Sequence, residues 1–105
     1  MGDAQVPNVS THVYARALGA TLLEPAPRPV PGLTSSPGPL SGRSLLEFDF
    51  GIEEPLPGTY PDFPAEPNEV HDGLRRQPAS MDMINAFFHP DGQVTNLCDG
   101  VCDPE

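Results

Sequence analysis

The sequence predicts a chain that is predominantly disordered or irregular, with one or two short helices, one candidate β-strand and no large core. Ten glycines and fifteen prolines among 105 residues place it at the edge of the ~25–30% range typical of low-complexity or disordered chains. Leu, Ile, Val and Phe together number 24, only slightly above the ~20% below which disorder is expected. No segment offers a long apolar stretch from which a core could grow.

The prolines divide the chain into segments of different character. The predicted organisation is an N-terminal segment with a marginal helix, a Pro/Gly/Ser-rich linker, an acidic amphipathic strand followed by a proline-rich stretch, and a C-terminal region with a short helix and a two-cysteine tail, at residues 1–24, 25–45, 46–69 and 70–105. In the first segment Thr11 can cap a helix that runs to Glu24 before Pro25. Such a helix is stable only when it packs against something.

The sequence LEFDFGIE, residues 46–53, alternates apolar and acidic side chains. This period of two is typical of a half-buried strand, with the apolar side formed by Leu46, Phe48, Phe50 and Ile52, and the polar side formed by Glu47, Asp49 and Glu53. Prolines at positions 55, 57, 61, 64 and 67 remove the donors that a neighbouring strand would need. The ribbon 46–52 is therefore expected to pair with another protein.

A short helix is predicted in the C-terminal region. Ser80 can cap it, Asp82 suits its first turn, and His89-Pro90 ends it. Its apolar side chains recur at helical spacing, which is typical of a core helix or of a helix that docks in a groove: Met83, Ile84, Phe87 and Phe88. A turn is expected to follow at Pro90-Asp91-Gly92.

Cys98 and Cys102 are the only cysteines, and three interpretations of this pair remain open. A disulfide would close a small loop and give a local clip. A zinc site would need His89 and His71 or a carboxylate, but only one cysteine pair has metal-ligand spacing. Free thiols are the interpretation that a reducing cytosol favours. We therefore predict a possible disulfide or thiol pair and no metal.

Charge excludes several functions. Residues 1–46 hold two acids and three arginines, a net charge of +1, whereas residues 47–105 hold thirteen acids and two arginines, a net charge of −11. This balance disfavours direct binding to nucleic acid or to an anionic membrane. The absence of lysine excludes Schiff-base chemistry and a phosphate-loop lysine. With His12, His71 and His89 scattered, we predict no catalytic residues, no cofactor and no enzyme.

The predicted function is that of an acidic, non-enzymatic interaction or regulatory protein. Its apolar stretches would bind a protein partner by strand addition or as a helix in a groove, and the partner would present a basic or apolar groove or a sheet edge. The alternative is a precursor peptide whose leader is removed at Arg75-Arg76, leaving a cysteine-containing product. Because the sequence shows no signal peptide and no membrane-spanning segment, an intracellular, soluble protein is expected.

Overall fold

Residues 8–52 and 68–103, which the computed structural model describes, contain three helices and a small sheet. In chain order the elements are α1 (Asn8–Leu18), β1 (Thr21–Leu23), β2 (Thr34–Ser36), β3 (Ser44–Leu45), α2 (Val70–Gly73), a 3-10 helical turn (Leu74–Arg76) and α3 (Pro78–Phe87). The Cα radius of gyration is 13.7 Å, whereas a folded chain of about 100 residues has ~13 Å and an unfolded one ~30 Å. The prediction of a predominantly disordered chain is therefore wrong.

Helix α1 ends earlier than the sequence pattern predicts. It stops at Leu18 because Gly19 takes a positive φ of 63°, a conformation that glycine adopts at little cost. The Gly19 N–H donates to the Arg16 carbonyl at 3.0 Å, and the Ala20 N–H donates to the Ala15 carbonyl at 2.9 Å. These two bonds are the Schellman pattern that closes a helix. Gly19 therefore terminates helix α1.

The sheet is parallel, with strand order β2-β1-β3. Thr21 of β1 pairs with Thr34 on one side and with Ser44 on the other. The central strand β1 buries Leu22 and Leu23. Residues 25–45, expected to be a linker, therefore supply both outer strands. Strands of two or three residues fit between prolines, which explains why a proline-rich sequence still forms a sheet.

The apolar side of the ribbon 46–52 packs inside the same chain. Phe48 forms a buried cluster with Met83 of α3 and Cys102, and it pairs with Cys102 in an isolated parallel bridge. The Asp49 N–H donates to the Cys102 carbonyl at 2.8 Å. Leu46, Phe50, Ala79 and Cys98 pack against this cluster. The expectation that the ribbon must find its partner on another protein is wrong, because the C-terminal tail returns to pair with it.

One residue on the polar side of the ribbon is covered as well. Glu47, expected to face solvent, is buried, and its Oε1 lies 2.5 Å from Nε2 of His12 on α1. No partner within the described residues reaches the second carboxylate oxygen. Beyond this pair the extended run ends, because the Gly51 N–H donates to the Asp49 side chain at 3.0 Å and Gly51 has a positive φ. The ribbon is therefore held between α1 and the C-terminal region.

Helix α3 begins before the predicted cap. Pro78 occupies its first turn after an extended Gln77, a position where the missing proline N–H costs nothing. Ser80 is buried inside the helix and does not cap it. The helix ends at Phe87 as His89-Pro90 predicts, and the Gly92 N–H closes the expected turn on the His89 carbonyl at 2.8 Å.

The pair of His12 and Glu47 gives a first prediction about stability. His12→Leu leaves a buried carboxylate without its partner, which should lower the free energy of unfolding by ~3–5 kcal/mol. Glu47→Leu should cost less, because it removes the buried carboxylate itself and leaves no uncompensated carboxylate behind. The double variant should lose less than the sum of the two. Urea denaturation measures all three, with the exposed Asp82→Asn as a control expected within ~0.5 kcal/mol of the parent. Additive losses would contradict a direct interaction.

Candidate interaction site

Helix α3 exposes large apolar side chains in addition to the residues that it buries. Its inner side buries Ser80 and Met83. Its outer side exposes three large apolar side chains spaced i, i+3 and i+7, which we call the α3 stripe: Met81, Ile84 and Phe88. Phe88 follows the last helical residue and retains a helical hydrogen bond, from its N–H to the Ile84 carbonyl at 3.1 Å. The stripe is therefore a continuation of one helical face.

The α3 stripe is the feature that packing within the chain does not explain. A surface helix normally presents polar side chains to water, yet Phe88 is 79% exposed and Ile84 is 46% exposed. Phe87 extends the patch, because its ring meets the Phe88 ring edge-on at a centroid distance of 5.6 Å. Exposed apolar side chains of this kind make α3 the candidate interaction site, and the i, i+3, i+7 spacing is that of helix anchors in a groove.

The structure divides the predicted partner-binding residues into two groups. Four of them pack in or against the buried cluster and are not presented to a partner: Leu46, Phe48, Phe50 and Met83. The other four are exposed: Ile52, Ile84, Phe87 and Phe88. Met81, which the sequence analysis missed, joins the exposed set. Its spacing to Ile84 and Phe88 was visible in the sequence, but the grouping of Met83 with Ile84, Phe87 and Phe88 in one stripe concealed it.

Acidic side chains accompany the α3 stripe. Asp82 lies on α3 and Asp91 follows Phe88 in the turn. Arg75 lies 3.9 Å from Asp72, and Arg76 lies 3.8 Å from Glu69, so each arginine faces an acid of its own helical region. Residues 68–103 hold six acids and two arginines, a net charge of −4. The stripe is thus an apolar surface in an acidic setting.

Helix α1 carries a second exposed apolar surface, which we call the α1 face. It forms a shallow depression of about 500 Å³, lined by Val9, Ser10, Val13, Tyr14 and Ala17. None of these five side chains is charged. Basic side chains border α1: Arg16 donates to the Pro31 carbonyl at 3.0 Å, and Arg43 donates to the Leu18 carbonyl at the end of the helix at 2.9 Å. The α1 face is thus apolar with a basic border.

A larger cleft of about 760 Å³ lies between residues 24–29, 35–39 and 95–98. Its wall is dominated by prolines, and its polar groups are already engaged. The Glu24 carboxylate accepts a hydrogen bond from Ser35, and the Asn96 side chain binds the Cys98 N–H and the Gly100 carbonyl. The cleft therefore offers few groups that could orient a small molecule, and we do not assign it as the site.

Cys98 and Cys102 form a disulfide. Cys102 is fully buried beside Phe48 and Met83, whereas Cys98 is half-buried at the edge of the cluster. In this state neither sulfur is available as a metal ligand. Across residues 8–52 and 68–103, no group of three His, Cys, Asp or Glu side chains is arranged to hold a metal ion. His71, a candidate ligand in the sequence, instead lies 3.5 Å from the Arg75 guanidinium.

Comparisons of the chain with protein-family models, with curated protein sequences and with solved structures found no match. The surfaces described above are therefore interpreted from their own geometry and charge.

The disulfide gives a second prediction. Closing so small a loop should contribute ~2 kcal/mol to the free energy of unfolding, so Cys98→Ala should cost about that amount. Cys102→Ala breaks the same bond but also leaves a cavity beside Phe48 and Met83, and should cost ~1 kcal/mol more. Urea denaturation with and without dithiothreitol measures both effects. Equal losses, or a Cys98→Ala variant that remains sensitive to dithiothreitol, would contradict this arrangement.

Proposed function

We propose that the protein is an acidic, non-enzymatic interaction module that inserts the α3 stripe into an apolar groove of a protein partner. The observation that carries this proposal is the exposure of Met81, Ile84 and Phe88, whereas Ser80 and Met83 of the same helix are buried. Between the two modes expected from sequence, the helix in a groove is favoured over strand addition, because Glu47 and Phe48 of the ribbon are already buried within the chain.

A folded α3 changes the expected energetics of binding. A disordered segment must be ordered when it binds, at a backbone cost of ~1–2 kcal/mol per residue. Here the packing of Met83 against Phe48 holds α3 in its helical form before the partner arrives. Burial of the α3 stripe against a partner, at ~1.5–3 kcal/mol per fully buried side chain, then stabilises the complex without the cost of ordering the backbone. Preorganisation of this kind raises affinity.

Charge narrows the class of partner. With a net charge of −4 over residues 68–103, the surroundings of the α3 stripe favour a groove bordered by basic side chains and disfavour a phosphate backbone or an anionic lipid surface. A protein groove is therefore proposed, with no direct nucleic-acid or membrane partner. No catalytic role is proposed, because His12 is engaged by Glu47 and the two cysteines are joined in a disulfide.

The alternative, a precursor peptide cleaved at Arg75-Arg76, is less well supported. Both arginines are exposed, which suits a protease. The regions on either side are nevertheless joined, by the pairing of Leu40 with Val94 and by the cluster of Phe48 with Cys102. Cleavage alone would leave the C-terminal part attached to the rest of the fold.

A photo-crosslinking amino acid in place of Phe88 tests the proposed interaction in the native cell, with the same replacement at Leu97 as control. Leu97 is 51% exposed and lies outside α3. The protein that is crosslinked from position 88 alone is then purified and its affinity measured. Phe88→Ala should weaken binding by ~30-fold, as a hot-spot residue does, and Leu97→Ala by less than ~3-fold. Equal effects of the two substitutions would refute the assignment of the α3 stripe.

An intracellular location is part of the proposal. None of the helices within residues 8–52 and 68–103 has the length and apolar character needed to cross a membrane. A reducing cytosol keeps cysteines as thiols, so we expect Cys98 and Cys102 to be reduced in the cell and to form the disulfide after extraction. Rapid alkylation during lysis, followed by mass spectrometry, measures this. A disulfide already complete at the moment of lysis would place the protein in an oxidising compartment.

A further inference from the structure

The two sulfurs of the Cys98–Cys102 disulfide differ in how closely a reagent can approach them. Cys102 is 0% exposed and packs with Phe48 and Met83. Cys98 is half-buried and lines the cleft of about 760 Å³ described above. This volume is within the ~300–1,000 Å³ range of clefts that hold small molecules. A small molecule can therefore reach Cys98 from the cleft, whereas the cluster closes off Cys102.

The loop that joins the two cysteines is held by one side chain, that of Asn96. Its Oδ1 accepts a hydrogen bond from the Cys98 N–H at 2.7 Å, and its Nδ2 donates to the Gly100 carbonyl at 2.8 Å. Gly100 has a φ of 101°, a conformation that glycine adopts at little cost. None of these interactions uses the S–S bond, so they keep the two sulfurs together after the bond is reduced.

The same side chain suits Cys102 in its reduced form. Asn96 Oδ1 lies 3.2 Å from Cys102 Sγ. A carbonyl oxygen has two acceptor lone pairs and a thiol is a weak donor, so the S–H that forms on reduction has an acceptor in place. The site accommodates both the dithiol and the disulfide, and reversible exchange requires both forms.

We propose that Cys98 is a site of thiol–disulfide exchange with small disulfides of the glutathione type, and that Cys102 is the resolving cysteine. The Cys98 thiolate attacks one sulfur of the small disulfide, whose S–S bond breaks as the mixed disulfide forms and one small thiol leaves. The Cys102 thiolate then attacks Cys98 Sγ, closes the protein disulfide and releases the second small thiol. The two cysteines lose two electrons and two protons, and the small disulfide becomes two thiols.

The environment of Cys98 is sufficient for this chemistry. Exchange depends on access to one sulfur and on its thiolate form, so the shortage of orienting groups in the cleft is no obstacle. The pair stays reduced while small thiols dominate, as in a reducing cytosol, and closes when small disulfides accumulate. The α3 stripe takes no part in the exchange, which therefore does not depend on the function proposed above.

Pulse alkylation of the reduced full-length chain measures the difference in access. After reduction with dithiothreitol and its removal, the chain is treated briefly with less than one equivalent of iodoacetamide, and fragmentation mass spectrometry locates the label. In native buffer Cys98 should carry at least ~10-fold more label than Cys102, because a buried thiol reacts only after local opening. In denaturing guanidinium chloride the two should be labelled about equally. Equal labelling in native buffer would overturn the proposal.

Oxidised glutathione then tests the order of the two steps, with intact-mass spectrometry as the readout. Cys102→Ala should stop at the mixed disulfide and retain glutathione, whereas Cys98→Ala should react at least ~10-fold more slowly. The reduced parent should end as the intramolecular disulfide without glutathione. Because Cys102→Ala also leaves a cavity, the parent supplies an independent measurement. Glutathione retained by the parent, or equal reaction rates of the two variants, would refute the assigned roles.

The exchange equilibrium shows whether the folded loop favours closure. A disulfide that stabilises a fold is favoured by that fold to the same extent, because the two effects belong to one thermodynamic cycle. In a fixed glutathione buffer, the ratio of disulfide to dithiol should be ~30-fold higher in native buffer than in denaturing guanidinium chloride. This factor corresponds to the ~2 kcal/mol expected of so small a loop, at about 1.4 kcal/mol per tenfold. An unchanged ratio would contradict a redox site that is built into the fold.

Discussion

The fold depends on one short segment, the ribbon at residues 46–50, being covered on both sides by parts of its own chain. Consecutive side chains of an extended segment point in opposite directions, so Glu47 and Phe48 face different neighbours. Glu47 reaches His12 on α1, and Phe48 reaches Met83 and Cys102. The ribbon thereby connects the N-terminal half of the protein to the C-terminal half. Its sequence encodes two contacts, a buried polar one and an apolar one, in adjacent residues.

This arrangement also determines which apolar side chains remain outside. Helix α3 needs only Met83 and Ala79 to contact the ribbon cluster, and the cluster is too small to cover the rest of the helix. Met81, Ile84 and Phe88 therefore face solvent. Burying them would require another layer of structure, and within the described residues none lies over them. The partner surface proposed above would supply that layer.

The sequence predicted local features better than distant ones. The end of α3 before His89-Pro90 and the turn at Gly92 follow from adjacent residues, and both are confirmed. The covering of Phe48 is not local, because Cys102 lies more than fifty positions further along the chain. The alternation of apolar and acidic residues in the ribbon showed that it has two different sides. It did not show which part of the chain covers each side. Helix α1 was predicted too long for a related reason: the freedom of Gly19 lowers helix stability inside a helix and suits it to a helix end, and only the hydrogen bond from the Ala20 N–H to the Ala15 carbonyl distinguishes the two.

The α3 stripe and the core share one helix, so the binding proposed for the stripe would be coupled to stability. A helix of ten residues is marginal by itself in water, so α3 holds its shape only while Met83 packs on Phe48 and Cys102. When a binding-competent state is populated to a fraction f, the apparent Kd rises to the intrinsic value divided by f. Loosening the cluster therefore weakens docking at the α3 stripe even though no docking residue is changed. Through the packing of the ribbon, Cys102 would thus influence the exposed α3 stripe.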